Sequence, residues 1–229
     1  MARRHAIIDE ENLRIPEDAF TLEGFQRWAV SEGFPENGRI DYLSGEIEVD
    51  MSPEDLYTHS AVKTAISAQL HSLVIPSGLG DVFIDRARVT SRFASLSVEP
   101  DIVVILRESL KKGQVRLTPS RKGPDRFSGL EGAVDLVVEI VSDSSVNKDL
   151  KRLPPLYARA GVRELWIADA RGSALRFRIH SLQDGAYTTI APDSEGWTRS
   201  SLLGRGFRLV RRRDDPFPWR YTLEQRNLS

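Results

Sequence analysis

The chain reads as a mixed α/β protein: a β-sheet flanked by helices, with a β-rich C-terminal extension. Three observations lead there. Asp135 to Val141 and Val98 to Ile105 are short apolar runs of strand length. Residues 17–31 and the segment after Ser52 carry apolar side chains at helical spacing. The elements follow the order α, ββ, α, βββ, a long connection, β, α, β, ββ, which suits a mixed sheet between helices.

Residues 1–15 read as an arm. Pro16-Glu17-Asp18 opens a helix to about Ser31, striped by Phe20, Phe25, Trp28 and Ala29. Arg39–Leu43 and Glu46–Met51 flank Ser44-Gly45, a hairpin with its turn. Ser52 is the expected cap of the next helix, with Pro53 at its first position. Ala61, Val62, Ala65, Ile66, Leu70 and Leu73 form the apolar face of that helix, which stops near Pro76 and Gly78. Strands are expected at about 81–86, 88–93 and 100–106. Residues 107–132, rich in Lys, Arg, Gly, Pro and Ser, read as a long loop of the functional or mobile kind.

A strand at 134–141 and a polar loop from Ser142 to Lys151 come next. The helix after them holds Pro154 and Pro155 in its first turn, the only place they are tolerated, and Gly161 ends it. Arg163 to Ala168 is a strand, and 174–180 with 186–191 form a hairpin. The whole, 1–229, is expected as one domain with a core at about 17–191 and an extension at about 192–229.

Composition narrows the function classes. A net charge of −1 rules out a global field for nucleic acid, so local clusters such as Arg211-Arg212-Arg213 matter more. The chain has no cysteine, which removes disulfides and thiolate metal sites and fits a reducing, cytoplasmic setting. The N-terminus lacks a secretory apolar segment, and no run is long enough to span a membrane.

Glu139 is the only interior polar residue of its strand. Burying Val137, Val138, Ile140 and Val141 returns roughly 1.5–3 kcal/mol each, so the strand forms, but an unpaired buried carboxylate costs several kcal/mol. Glu139 therefore needs a partner. A second carboxylate converging from a neighbouring strand points to a divalent cation.

Pro100-Asp101 opening one strand, with Glu139 inside a later one, resembles the PD-(D/E)XK nuclease superfamily. Three further segments, "DYLSGEIEVDMSP" with His59 behind it, "DLVVEIVSDSS" and "LYARAGVRELWIADA", resemble the Uma-two family of restriction endonucleases over roughly Asp41 to Ala170. The resemblance implies a restriction-endonuclease-like core that hydrolyses DNA phosphodiester bonds. Asp101, Glu139 and the backbone carbonyl of Ile140 would hold Mg²⁺ or Mn²⁺, and Glu46 would complete the site. It also implies a lysine at Val141 or at Leu153, and neither residue is basic. Lys151, just before the prolines, is the expected substitute, with Lys148 a less direct one.

Other residues carry two readings each. His59 is a substrate or metal-water contact, or an ordinary histidine at a helix start. Asp149 caps the helix or orients Lys151. Asp143, Ser144 and Ser145 shape their loop, and Tyr157, Leu165 and Trp166 pack. The basic 107–126 stretch, with Lys111, Lys112, Arg116, Arg121, Lys122 and Arg126, is expected to contact DNA because it joins the two carboxylate strands. Arg211 to Arg213 are phosphate contacts or a solvated run, and neither patch has interleaved aromatics. A homodimer suits cleavage of two strands. Two rivals stand beside the nuclease: a nuclease-fold binding module without catalysis, and a structural domain in which Glu139 pairs with Arg86 or Arg88.

Overall fold

The structure, a computed structural model, describes residues 7–8, 13–120 and 122–228. Strand β1 (Ile7–Ile8) pairs antiparallel with β2 (Leu13–Arg14). The rest of the expected arm, 1–6 and 9–12, and Arg121 lie outside the described residues.

The first helix is split at Thr21. A 3-10 turn, Glu17–Phe20, ends there; the Thr21 hydroxyl then accepts from the Gly24 N–H at 3.1 Å and starts α1 (Leu22–Ala29). Gly24 is required by a close approach, since a Cβ there would lie 1.8 Å from the Asp18 carbonyl oxygen. The hairpin of β3 (Arg39–Leu43) and β4 (Glu46–Asp50) turns through Ser44 and Gly45 at φ 51° and 94°, the doubly positive geometry that matches strand twist.

Asp55 rather than Ser52 caps the second helix, its carboxylate accepting from the Tyr57 and Thr58 N–H groups. Leu56–Ser60 is a π-helical turn in which the Ala61 N–H reaches back to the Leu56 carbonyl, and α2 (Ala61–Val74) follows. Strands β5 (Gly80–Ile84), β6 (Arg88–Ser91), β7 (Leu96–Val98) and β8 (Ile102–Leu106) come next. The expected long loop is instead α3 (Arg107–Lys111), β9 (Val115–Pro119) and β10 (Phe127–Gly132). Its glycines and prolines hid a hairpin.

After β11 (Leu136–Ile140) a second π-helical turn, Lys148–Arg152, leads into α4 (Leu153–Ala160). The prolines explain the wide turn. Pro154 and Pro155 have no N–H to give the Leu150 and Lys151 carbonyls, and the last donor before them, the Leu153 N–H, reaches the Lys148 carbonyl. Gly161 closes α4 at φ 82°. The chain ends with β12 (Glu164–Asp169), β13 (Arg176–Gln183), β14 (Ala186–Thr189), β15 (Thr198–Ser200), β16 (Arg205–Asp214) and β17 (Phe217–Asn227).

The central sheet has the order β14-β13-β12-β11-β8-β5, with β11 parallel to β12 and antiparallel to β8. A second sheet runs β4-β3-β7-β6-β10-β9, and the C-terminal part is a three-stranded sheet, β15-β16-β17. Period-two alternation sorts the central sheet onto two cores. Val103, Ile105, Val137, Val141, Leu165 and Ile167 pack against α4 and the second sheet. Ile102, Val104, Leu136, Val138, Ile140 and Trp166 pack against α2 and the C-terminal sheet, where the Trp166 ring meets Phe207 at 4.8 Å between centroids. Among the described residues no helix is long and apolar enough to cross a membrane.

Candidate active site

The register of β8 and β11 brings the two carboxylates together. Leu136 faces Val104, Val137 faces Val103 and Val138 faces Ile102, so one further step sets Glu139 opposite Asp101, on the same face of the sheet. Both are buried. One Asp101 oxygen accepts from Arg39 Nη2 at 2.7 Å and the other from the Ile140 N–H at 2.7 Å. His59 Nε2 lies 3.5 Å and Lys63 Nζ 3.7 Å from the same carboxylate. Burial pushes Asp101 up, but His59, Arg39 and Lys63 together hold it well below the ordinary carboxylate range.

Glu139 is held differently. The Tyr157 hydroxyl donates to Oε1, and Oε2 is buried with no partner among the described residues. Burial, then the charges of Asp149 and Asp101, raise its pKa well above the usual value. Tyr157, expected only to pack, thus supplies the one hydrogen bond that the Glu139 carboxyl accepts among the described residues. The third reading of the sequence does not hold: Arg88 pairs with Glu99 at 2.5 Å, and Arg86 donates to the Glu36 carbonyl.

Asp149 is no exposed cap. It is buried behind Glu139, accepts from the Ser145 hydroxyl, and leaves Oδ1 without a partner among the described residues. Burial outweighs Lys148 and Ser145 and lifts it to about 6.

The lysines exchange their expected ranks. Lys148 is buried and lies 3.1 Å from Asp41. Burial lowers its pKa, but Asp41, Glu139 and Asp149 outweigh this and raise it, so the ammonium is charged. Lys151, in the same turn, is exposed. Val141, the lysine position of the superfamily pattern, and Leu153, that of the resembling family, are both in the hydrophobic core.

Glu46 is also displaced from its expected role. It is exposed at the hairpin turn and pairs with Arg152 at 2.7 Å. A further carboxylate beside Asp101 comes instead from the segment before the Asp55 cap: Glu54, His59 and Asp101 offer ligand atoms within 4.8 Å of one another. His59 is buried, its Nδ1 3.3 Å from Glu54 yet without a hydrogen-bond partner among the described residues. Asp101 and Glu54 outweigh its burial and raise its pKa. Lys63 ties Glu54 to Asp85, at 2.8 and 2.6 Å. These groups border an open recess of about 420 Å³.

Lys111 and Lys112 lie away from this centre. β8 and β11 are antiparallel, so Asp101 just before the one and Glu139 near the end of the other share an end of the sheet. The connection between the strands leaves after Leu106 and returns at Asp135, at the opposite end. A segment that joins two antiparallel strands need not pass their matched ends.

Sequence reasoning missed Arg39, Asp41, Glu54 and Lys63. A signal for the first two was present: Arg39 and Asp41 are two apart on a hairpin strand and share one face, and that face turns inward. Asp41 also accepts from the Glu99 N–H at 2.9 Å, which ties β3 to the segment leading into Asp101.

The family model described as Uma2, putative restriction endonuclease, matches residues 22–211. The chain belongs to this family. Every group of the Uma2 centre described above lies within the matched span. Solved structures match the chain as well. One is the crystal structure of a putative nuclease belonging to DUF820 from Anabaena variabilis, 19% identical, covering 80% of this chain and 90% of that one with a TM-score of 0.59. At that identity it shows the fold alone, mixed α/β with a β-rich C-terminal part. No curated protein matches.

Proposed function

We propose that the protein is a metal-dependent endonuclease that hydrolyses DNA phosphodiester bonds, acting as a cytoplasmic homodimer. One observation supports this: Asp101 and Glu139 stand opposed across β8 and β11, and Glu139 Oε2 is buried with no hydrogen-bond partner among the described residues. The donor set fits Mg²⁺ or Mn²⁺. It is carboxylate oxygen with one imidazole nitrogen, and each Asp101 oxygen that accepts an N–H keeps a lone pair free. Asp101 and Glu139 would hold the ion with the Ile140 carbonyl, and His59 and Glu54 flank it. When bound, such an ion polarises the phosphate and lowers the pKa of a water.

The chain's own residues do the rest. Lys148, charged and fixed by Asp41, supplies positive potential on the sheet face that carries Glu139, the part expected of Lys151. Arg39 and Lys63 balance the charge of Asp101. Tyr157 fixes the Glu139 rotamer and keeps one oxygen turned inward. Supercoiled plasmid with Mg²⁺ or Mn²⁺ tests the proposal: nicking that Glu139→Ala abolishes supports it, and no nicking by folded wild type at high protein overturns it.

A second reading is favoured by the core positions of Val141 and Leu153: a module that binds metal and DNA without turnover. Calorimetric Mn²⁺ binding with no nicking would select it.

A further inference from the structure

The arginine cluster of β16 gains aromatic partners from β17. Antiparallel pairing sets Arg211 opposite Tyr221 and Arg212 opposite Arg220. The Trp219 ring lies beside both neighbours, with the guanidinium carbons of Arg211 and Arg213 at 4.4 and 4.0 Å from its centroid. The aromatic interleaving missing from the linear cluster is therefore present across the hairpin. Arg213 has no carboxylate partner among the described residues, and Arg211 gives its N–H groups to the carbonyls of Ala170, Gly172 and Ser173. The positive charge of both is left uncancelled.

Between this hairpin and the start of α2 is a recess of about 460 Å³, lined by Tyr57, Trp219 and Tyr221 with Phe217 at its mouth. Phe217 is half exposed. The Tyr221 hydroxyl is buried and has no hydrogen-bond partner among the described residues. One wall of the recess is the π-helical turn Leu56–Ser60, whose other residues include His59, the neighbour of Asp101. The two recesses thus share one wall. The family match ends at Arg211, so Arg212, Arg213, Phe217, Trp219 and Tyr221 lie beyond it.

We propose that this surface holds an unpaired DNA strand beside the nuclease centre, an inference that rests on the nuclease reading above. Bases stack on Tyr57, Phe217 and the guanidinium-covered Trp219, and Arg213 meets a phosphate. Stacking platforms interleaved with arginine suit single strands because every base has a π-face.

The test is fluorescence anisotropy of labelled oligo-dT, and of its duplex with oligo-dA, with full-length protein in EDTA. Wild type is expected to bind the single strand more tightly than the duplex. Trp219→Ala and Tyr57→Ala each weaken strand binding about tenfold, Trp219→Phe retains it, and Arg213→Gln flattens the dependence of log K on log salt by about 0.7. Wild-type affinity and slope in Arg213→Gln, with wild-type affinity in folded Trp219→Ala, overturns the surface. If those variants and wild type still nick plasmid with Mn²⁺, the nuclease reading survives that loss. Tighter duplex binding overturns the unpaired strand, and a wild type that neither binds nor nicks overturns both proposals.

Discussion

The Lys148 ammonium lies 3.1 Å from the Asp41 carboxylate, and both side chains are at most 3% exposed. The pair joins the π-helical turn before α4 to strand β3. Lys148→Met leaves Asp41 buried without its cation and is expected to cost about 3–5 kcal/mol. Asp41→Asn added to it should recover part of that loss, as read from urea denaturation of the single and double variants. Nicking is expected to fall with Lys148→Met, whereas Lys151→Met leaves stability and nicking at wild-type levels. Loss of nicking in Lys151→Met alone would return the role to Lys151.

Burial and the neighbouring carboxylates raise the Glu139 pKa in the metal-free protein, which favours the protonated form that an amide resembles. Glu139→Gln is expected to change stability by less than about 1 kcal/mol while removing the heat of Mn²⁺ binding in calorimetry. Tyr157→Phe takes away the hydroxyl that donates to Oε1 and is expected to cost about 1–3 kcal/mol. Equal stability of Tyr157→Phe and wild type would mean that this hydrogen bond does not form.

Asp149 gives a pH signature. Its folded value of about 6 lies above the unfolded carboxylate value of about 3.9. The folded state therefore binds more protons between those values, and the Asp149 contribution falls as pH rises from about 4 through 6. Asp149→Asn removes that dependence. The stability of the variant minus that of wild type is expected to rise by on the order of 2 kcal/mol between pH 4 and pH 7 in metal-free buffer. A flat difference across that range would refute the buried, partner-poor carboxyl.

Glu46 pairs with Arg152 at the surface, with about three quarters of its side chain exposed. Glu46→Ala is expected to cost under about 1 kcal/mol and to leave Mn²⁺ affinity and nicking unchanged. A loss of Mn²⁺ affinity would put Glu46 in the ligand set after all.

The fold was legible where local chemistry and long-range packing agree. The alternation of β3, the apolar β11 and the Gly161 stop of α4 follow from side-chain pattern alone. So does the need of Glu139 for company. The β9–β10 hairpin was not legible, because its glycines and charges suit a loop until β6 offers β10 a parallel partner. Both wide turns were invisible for a similar reason: periodicity assumes one pitch, and the pitch changes at Leu56–Ser60 and Lys148–Arg152. Glu54 and Lys63 carry no pattern of their own and matter only because α2 abuts the start of β8.

The wide turns also bear on how relatives of this chain can diverge. Each holds one residue more than an α-helix would need to cover the same path. Deleting one codon between Lys148 and Arg152 would rotate the preceding segment by roughly 100° about the helix axis, swinging the ammonium off Asp41 while Leu156 and Tyr157 stay anchored. The basic group of the centre can thus migrate along the chain by a single insertion or deletion, with no strand of the central sheet having to move.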